Sequence, residues 1–175
     1  IKMTEGINVI STDPLYLNYN PDNVILVPDD YTSIQDAVNA IQSGGWVIVS
    51  AQTNPYAING LHWENKHVKL LGQPGAKLTL GYGDTSHAVH LSWGGINRTD
   101  LISGFILENC QIGAGNGPAI SLSHGASPTI QNCEFRYNVI QNNTFVDPDS
   151  YGGAVYIEGA TNQSQSPFFY NCIFD

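Results

Sequence analysis

Charge is scarce in this chain. Charged residues are 12% of its 175 residues, about half the usual share. Only six are Lys or Arg against 15 Asp or Glu, for a net charge of −9. So few cations cannot lay a basic stripe along a phosphate backbone or an anionic bilayer, which argues against nucleic acid as a partner. Long apolar runs are also missing. None approaches the ~20 residues that span a bilayer, and the start, Ile1-Lys2-Met3-Thr4, lacks a signal-peptide core. Three cysteines cannot all pair. No P-loop, dinucleotide fingerprint or Ser-His-Asp arrangement is present.

What is present is repetition. The pattern apolar, any residue, Asn, Cys, any residue, apolar occurs three times: Leu107-Glu108-Asn109-Cys110-Gln111-Ile112, Ile130-Gln131-Asn132-Cys133-Glu134-Phe135 and Phe169-Tyr170-Asn171-Cys172-Ile173-Phe174. Upstream of each stands a companion, Ala88-Val89-His90-Leu91, Ala119-Ile120-Ser121-Leu122 and Ala154-Val155-Tyr156-Ile157. Apolar residues alternate within each unit while the intervening segments vary in length, and constant strands with variable loops describe a solenoid. Asn tolerates a left-handed backbone, so each Asn-Cys pair marks a corner between two short strands. Stacked coils would then align Asn109, Asn132 and Asn171 as an inward amide ladder and Cys110, Cys133 and Cys172 as buried thiols, all six with structural roles. Thiols one strand spacing apart, ~4.8 Å, with parallel side chains match disulfide geometry poorly.

In chain order, residues 1–23 carry Pro14, Pro21 and no sustained period, and are expected to be an extended lead-in. Residues 24–45 hold an apolar strand, a capping box Thr32-Ser33-Ile34-Gln35, apolar residues at helical spacing and the stop Gly44-Gly45, which predicts one helix over 32–43. From 46 to 175 helix signals vanish. Short strands at 46–50, 57–61, 67–71 and 76–80, with the repeats, give about five coils. The solitary helix would plug the N-terminal end of the solenoid, whose open edge needs covering. The fold class expected is therefore all-β: a parallel β-helix with one N-terminal capping helix. The chain stops inside the strand after an Asn corner, which predicts a piece of a longer solenoid, self-associating through its last coil.

Val27-Pro28-Asp29-Asp30-Tyr31-Thr32-Ser33-Ile34-Gln35-Asp36-Ala37-Val38, then Trp46-Val47-Ile48-Val49 and Val68-Lys69-Leu70-Leu71-Gly72-Gln73-Pro74-Gly75, resembles the opening of right-handed parallel β-helix proteins such as pectate lyases and pectin esterases. The region around Gly152-Gly153-Ala154-Val155-Tyr156 and the last repeat is similar to bacterial secreted and surface-displayed β-helix proteins of the polymorphic outer-membrane type. The resemblance covers residues 27–175 and implies a right-handed coil and a secreted or cell-surface protein. It implies no single activity, because the fold hosts lyases, hydrolases, esterases, epimerases and adhesins. The esterases' catalytic Asp pair and Arg have no counterpart on the repeated strands, and Arg98 and Arg136 stand alone.

Candidate ligand-binding residues follow from the alternation. With Val89, Ile120 and Val155 facing in, His90, Ser121 and Tyr156 share an outward column, and Ser92, Ser123 and Glu158 stand beside it. An aromatic, an imidazole and hydroxyls on one stripe suit a polysaccharide or cell-surface glycan, although any solvated sheet face carries such residues. A second stripe, Glu108, Gln131 and Tyr170, follows on the next strand. Trp63, Tyr82 and Trp93 fall in loops, where large aromatics usually pack. No cofactor is indicated. Asp147 and Asp149, in the long insertion between Cys133 and Ala154, are two possible Ca2+ ligands where a full site needs about six to eight oxygens. The reading favoured is an adhesin-like or carbohydrate-binding extracellular scaffold. The alternative is the N-terminal part of a polysaccharide lyase or glycoside hydrolase acting on an acidic or plant or algal polysaccharide.

Overall fold

A computed structural model describes residues 23–80, 87–93, 95–112, 116–140, 153–159 and 166–175. Every strand pairing among them is parallel. The first sheet stacks Val24–Val27, Gly45–Val49, Val68–Gly72, Leu101–Ser103, Thr129–Gln131 and Phe168–Tyr170 in chain order. The second stacks Tyr56–Ile58, Lys77–Leu80, Ile106–Glu108, Glu134–Arg136 and Ile173–Phe174. Val89–Ser92, Ile120–Ser123 and Val155–Ile157 form the third, and Gln111–Ile112 pairs with Val139–Ile140 in a small fourth. The chain is all-β with parallel sheets, an arrangement consistent with a β-solenoid in which each passage through the sheets is a coil.

The inward columns make the core. Val89, Ile120 and Val155 pair across the third sheet, as do Leu91, Leu122 and Ile157. Val47, Leu70, Ile102 and Ile130 do the same in the first. All of these except the last-coil Val155 and Ile157 are fully buried. The first sheet is apolar on its other face too, where Trp46, Ile48 and Leu101 form a second small cluster. Lys69 Nζ lies 5.4 Å from the Trp46 ring centroid.

The one helix among the described residues, α1 (Ile34–Ala40), is shorter than the 32–43 expected. Its N-cap is Ser33, whose Oγ accepts from Asp36 N at 3.2 Å, one residue later than the capping box implies. Gln35 does not close that box. Its side chain instead bonds both backbone groups of His62, Nε2 to the carbonyl at 2.8 Å and Oε1 from the N–H at 3.0 Å. Lys66 Nζ reaches back to the carbonyls of Val38, Asn39 and Ile41 and so caps the helix C-terminus with a cation. Ile34, Ala37 and Val38 join the core beside Val27 and Val47. No described helix is long and apolar enough to cross a membrane.

The corner residues divide differently from the repeat alignment. Asn109, Asn132 and Asn171 all have left-handed backbones, at φ 55, 52 and 50. Strand pairing, however, stacks Glu134 on Ile106 and on Ile173, which places Asn132 opposite Gly104 and Asn171. Asn109 faces Tyr137, at another corner, where its N–H donates to Arg136 O. The ladder therefore has two rungs, Asn171 Nδ2 donating to Asn132 Oδ1 at 2.8 Å, and excludes Asn109. It is also exposed, because the left-handed bend turns each Asn outward and sends the following Cys inward. All three thiols are free; Cys110 and Cys133 are buried and Cys172 half-buried. Burial pushes the Cys110 thiol up to about 12. Likewise Glu108 pairs with Arg136 rather than standing with Gln131 and Tyr170, and Gln131 is buried. On the last coil Phe168, Tyr170, Ile173 and Phe174 are exposed.

Where Asn132 stands in its coil, the two preceding coils have Gly72 and Gly104. Gly104 has φ 79, and a Cβ there would lie 2.5 Å from Gly72 O, closer than van der Waals contact allows. Gly104→Ala should cost about 2–4 kcal/mol, whereas Asn132→Gly should cost under about 1 kcal/mol. Urea midpoints measure both, and a Gly104→Ala midpoint equal to the parent's would contradict this corner packing.

Candidate functional site

An isolated parallel bridge, Leu61 to Val89, sets the geometry of the site. The N–H of His90 donates to Leu61 O, so the segment after Leu61 runs as a further coil beneath the third sheet. Continuing that register puts His62 under His90, Glu64 under Ser92 and Asn65 under Trp93. Higher up, Ser121 pairs with His90 and Tyr156, and Glu158 N donates to Leu122 O, which places Glu158 beyond Ser123. Two outward columns result, His62–His90–Ser121–Tyr156 and Glu64–Ser92–Ser123–Glu158. The corner beside them carries Asn65, Trp93 and His124 on successive coils, all left-handed, at φ 57, 80 and 50.

Of the sequence-derived candidates, His90, Ser121 and Tyr156 share their column and Glu158 stands at the top of the next. Ser121 is not accessible. It is 3% exposed, because a serine is too short to clear the larger His90 and Tyr156 on either side. Ser123 is equally covered, and its Oγ lies 3.1 Å from His124 Nδ1, while Ser92 Oγ lies 3.3 Å from the same nitrogen. The loop tryptophans separate. Trp63 is buried, with Nε1 donating to Asp100, whereas Trp93 is 58% exposed. Tyr82, Asp147 and Asp149 lie outside the described residues.

Trp93 is the unusual residue. Its ring stacks on the His124 imidazole with centroids 4.7 Å apart and planes at 28°. Below it a groove of about 340 Å3 is lined by Glu64, Asn65, Ser92, Trp93, Gly95 and Ile96. The ring thus both stacks on His124 and lines the groove. A left-handed backbone costs a bulky residue of order 1–3 kcal/mol, a strain concentrated at functional sites. The other described left-handed residues are Asn or Gly, which bear no such cost, apart from Tyr137 and His124. The signal available in the sequence is the alternation Leu61-His62-Trp63-Glu64 followed by a corner Asn65, which recurs one coil later as Val89-His90-Leu91-Ser92 followed by Trp93.

The floor of the site is rigid. Asp100, fully buried, accepts from Trp63 Nε1 at 3.0 Å, Val68 N at 2.9 Å and Asn97 N at 2.9 Å, with His67 Nδ1 2.9 Å away. These bonds satisfy a buried carboxylate and tie Trp63, hence the strand of Glu64 and Asn65, to the next coil. Sequence reasoning missed Asp100, since nothing local marks it as inward-facing.

His90 is crowded by His62, His87 and His124, with Tyr156 and Glu158 two coils above; the His87 ring centroid is 5.3 Å away. Burial, then the neighbouring imidazoles, hold His90 below the ordinary histidine range, and burial with His90 does the same for His87. Among the described residues no group of three or more His, Cys, Asp or Glu is placed to hold a metal ion. Compared with protein-family models, curated proteins and solved structures, the chain finds no match.

The depressed histidines give stability a pH dependence. The unfolded chain, with ordinary histidines near ~6.5, binds protons that the folded chain refuses, so stability is full above that value and declines as pH falls toward the lowered native values. The melting temperature should drop over this window, and less so in His90→Asn. Identical pH profiles for the two proteins would contradict the crowding described.

Proposed function

We propose that this chain is a carbohydrate-binding, adhesin-like scaffold, a right-handed parallel β-helix of a secreted or cell-surface protein, and that the face around Trp93 is its glycan site. The observation that carries the reading is an exposed indole, held on a left-handed backbone, that stacks on His124 and lines a groove. A flat apolar ring face flanked by Asn65, Ser92, Glu64 and His90 offers stacking and directional hydrogen bonds together, as sugar recognition requires. The right hand follows from the strong bias of parallel crossovers.

The alternative, the N-terminal part of a polysaccharide lyase or glycoside hydrolase, would need its catalytic groups on other coils. Glu64 and Glu158 stand three coils apart, ~14 Å at one strand spacing per coil. A glycosidase pair needs roughly 5–9.5 Å.

Trp93→Asn separates function from folding. Asn suits the left-handed corner, so the variant should gain about 1 kcal/mol of stability. It should also lose glycan binding by about tenfold or more. Glycan-array binding and thermal melting read the two effects. Retained binding, or a clearly lower melting temperature, would show that Trp93 is a structural prop.

A further inference from the structure

Resting on that glycan reading, we infer that the groove at Trp93 selects a sugar bearing an ammonium group, as in a polymer of free hexosamine, over a neutral or acidic one. Among the described residues, the groove lining contains one carboxylate, Glu64, and no cation. Glu64 is exposed, and it stands one residue from Asn65, which lies directly beneath Trp93 on the preceding coil. Indole is the best of the aromatic faces for a cation, and here the ring lines the same groove as the carboxylate. An ammonium entering between them meets the ring quadrupole on one side and a negative charge on the other. A uronate would meet Glu64 as a like charge, within a chain whose net charge of −9 already repels anions. The histidines do not reverse this. Burial, then His62 and His124, hold His90 toward the neutral form, and burial with His90 does the same for His87. The remaining hydrogen-bonding groups of the lining, the Asn65 amide and Ser92 hydroxyl, serve the sugar hydroxyls and carry no charge preference.

The test uses the 175-residue chain and three oligosaccharides of equal length, a glucosamine oligomer, its N-acetylated counterpart and an oligogalacturonate, titrated calorimetrically at a pH where the amines are protonated. The glucosamine oligomer should bind about five- to tenfold more tightly than the acetylated one. That preference should shrink at high salt, disappear in Glu64→Gln and be accompanied by loss of binding to both in Trp93→Asn. Equal affinity for the acetylated oligomer, or preference for the oligogalacturonate, would overturn the ammonium inference while leaving a glycan site in place. No binding of any of the three would overturn the glycan reading and this inference with it.

Discussion

Everything in this molecule depends on parallel register between coils. Each backbone rung fixes which side chain of one coil stands on which of the next, and a slip of one residue would send every inward side chain outward. The apolar columns pin that register. Val89, Ile120 and Val155 can only be stacked together if His90, Ser121 and Tyr156 are stacked together outside. The outward face is thus a by-product of core packing, and its residues need no contact with one another to be held in line. Parallel strands joined by long crossovers also mean that the site is assembled from segments about 30 residues apart.

The corners are where the register meets backbone strain. A solenoid must bend several times per coil, and a left-handed residue is the shortest way to do it. Asn132 and Asn171 do so cheaply, and Gly104 does so where its backbone approaches that of Gly72 too closely for any side chain. Trp93 does so at a cost that packing does not repay, since its ring is mostly in solvent. The stack of Trp93 on His124 beside a groove, rather than any cluster of ionisable groups, singles out the face.

Sequence periodicity made the sheets legible, because alternation within short units forces one face inward. It made the third-sheet column of His90, Ser121 and Tyr156 legible for the same reason. It failed in three physically distinct ways. The Asn-Cys unit describes a local bend and not a place in the coil, so Asn109 was aligned with residues at a different corner. Burial on an outward face depends on the size of neighbours in adjacent coils, which hides Ser121 and Gln131. The coil of Glu64 and Asn65 joins the third sheet by a single bridge, and its place under Trp93 is a tertiary fact with only a faint local signature.

The proposed glycan would meet one face, built from four successive coils. Mapping it by amide chemical-shift changes on titrating the 19.0 kDa chain with a glucosamine oligomer tests this directly. The account predicts shifts confined to residues 62–65, 90–93, 121–124 and 156–158, with the Trp93 indole N–H among the largest. Shifts centred on the outer face of the first sheet, or none around Trp93, would contradict it.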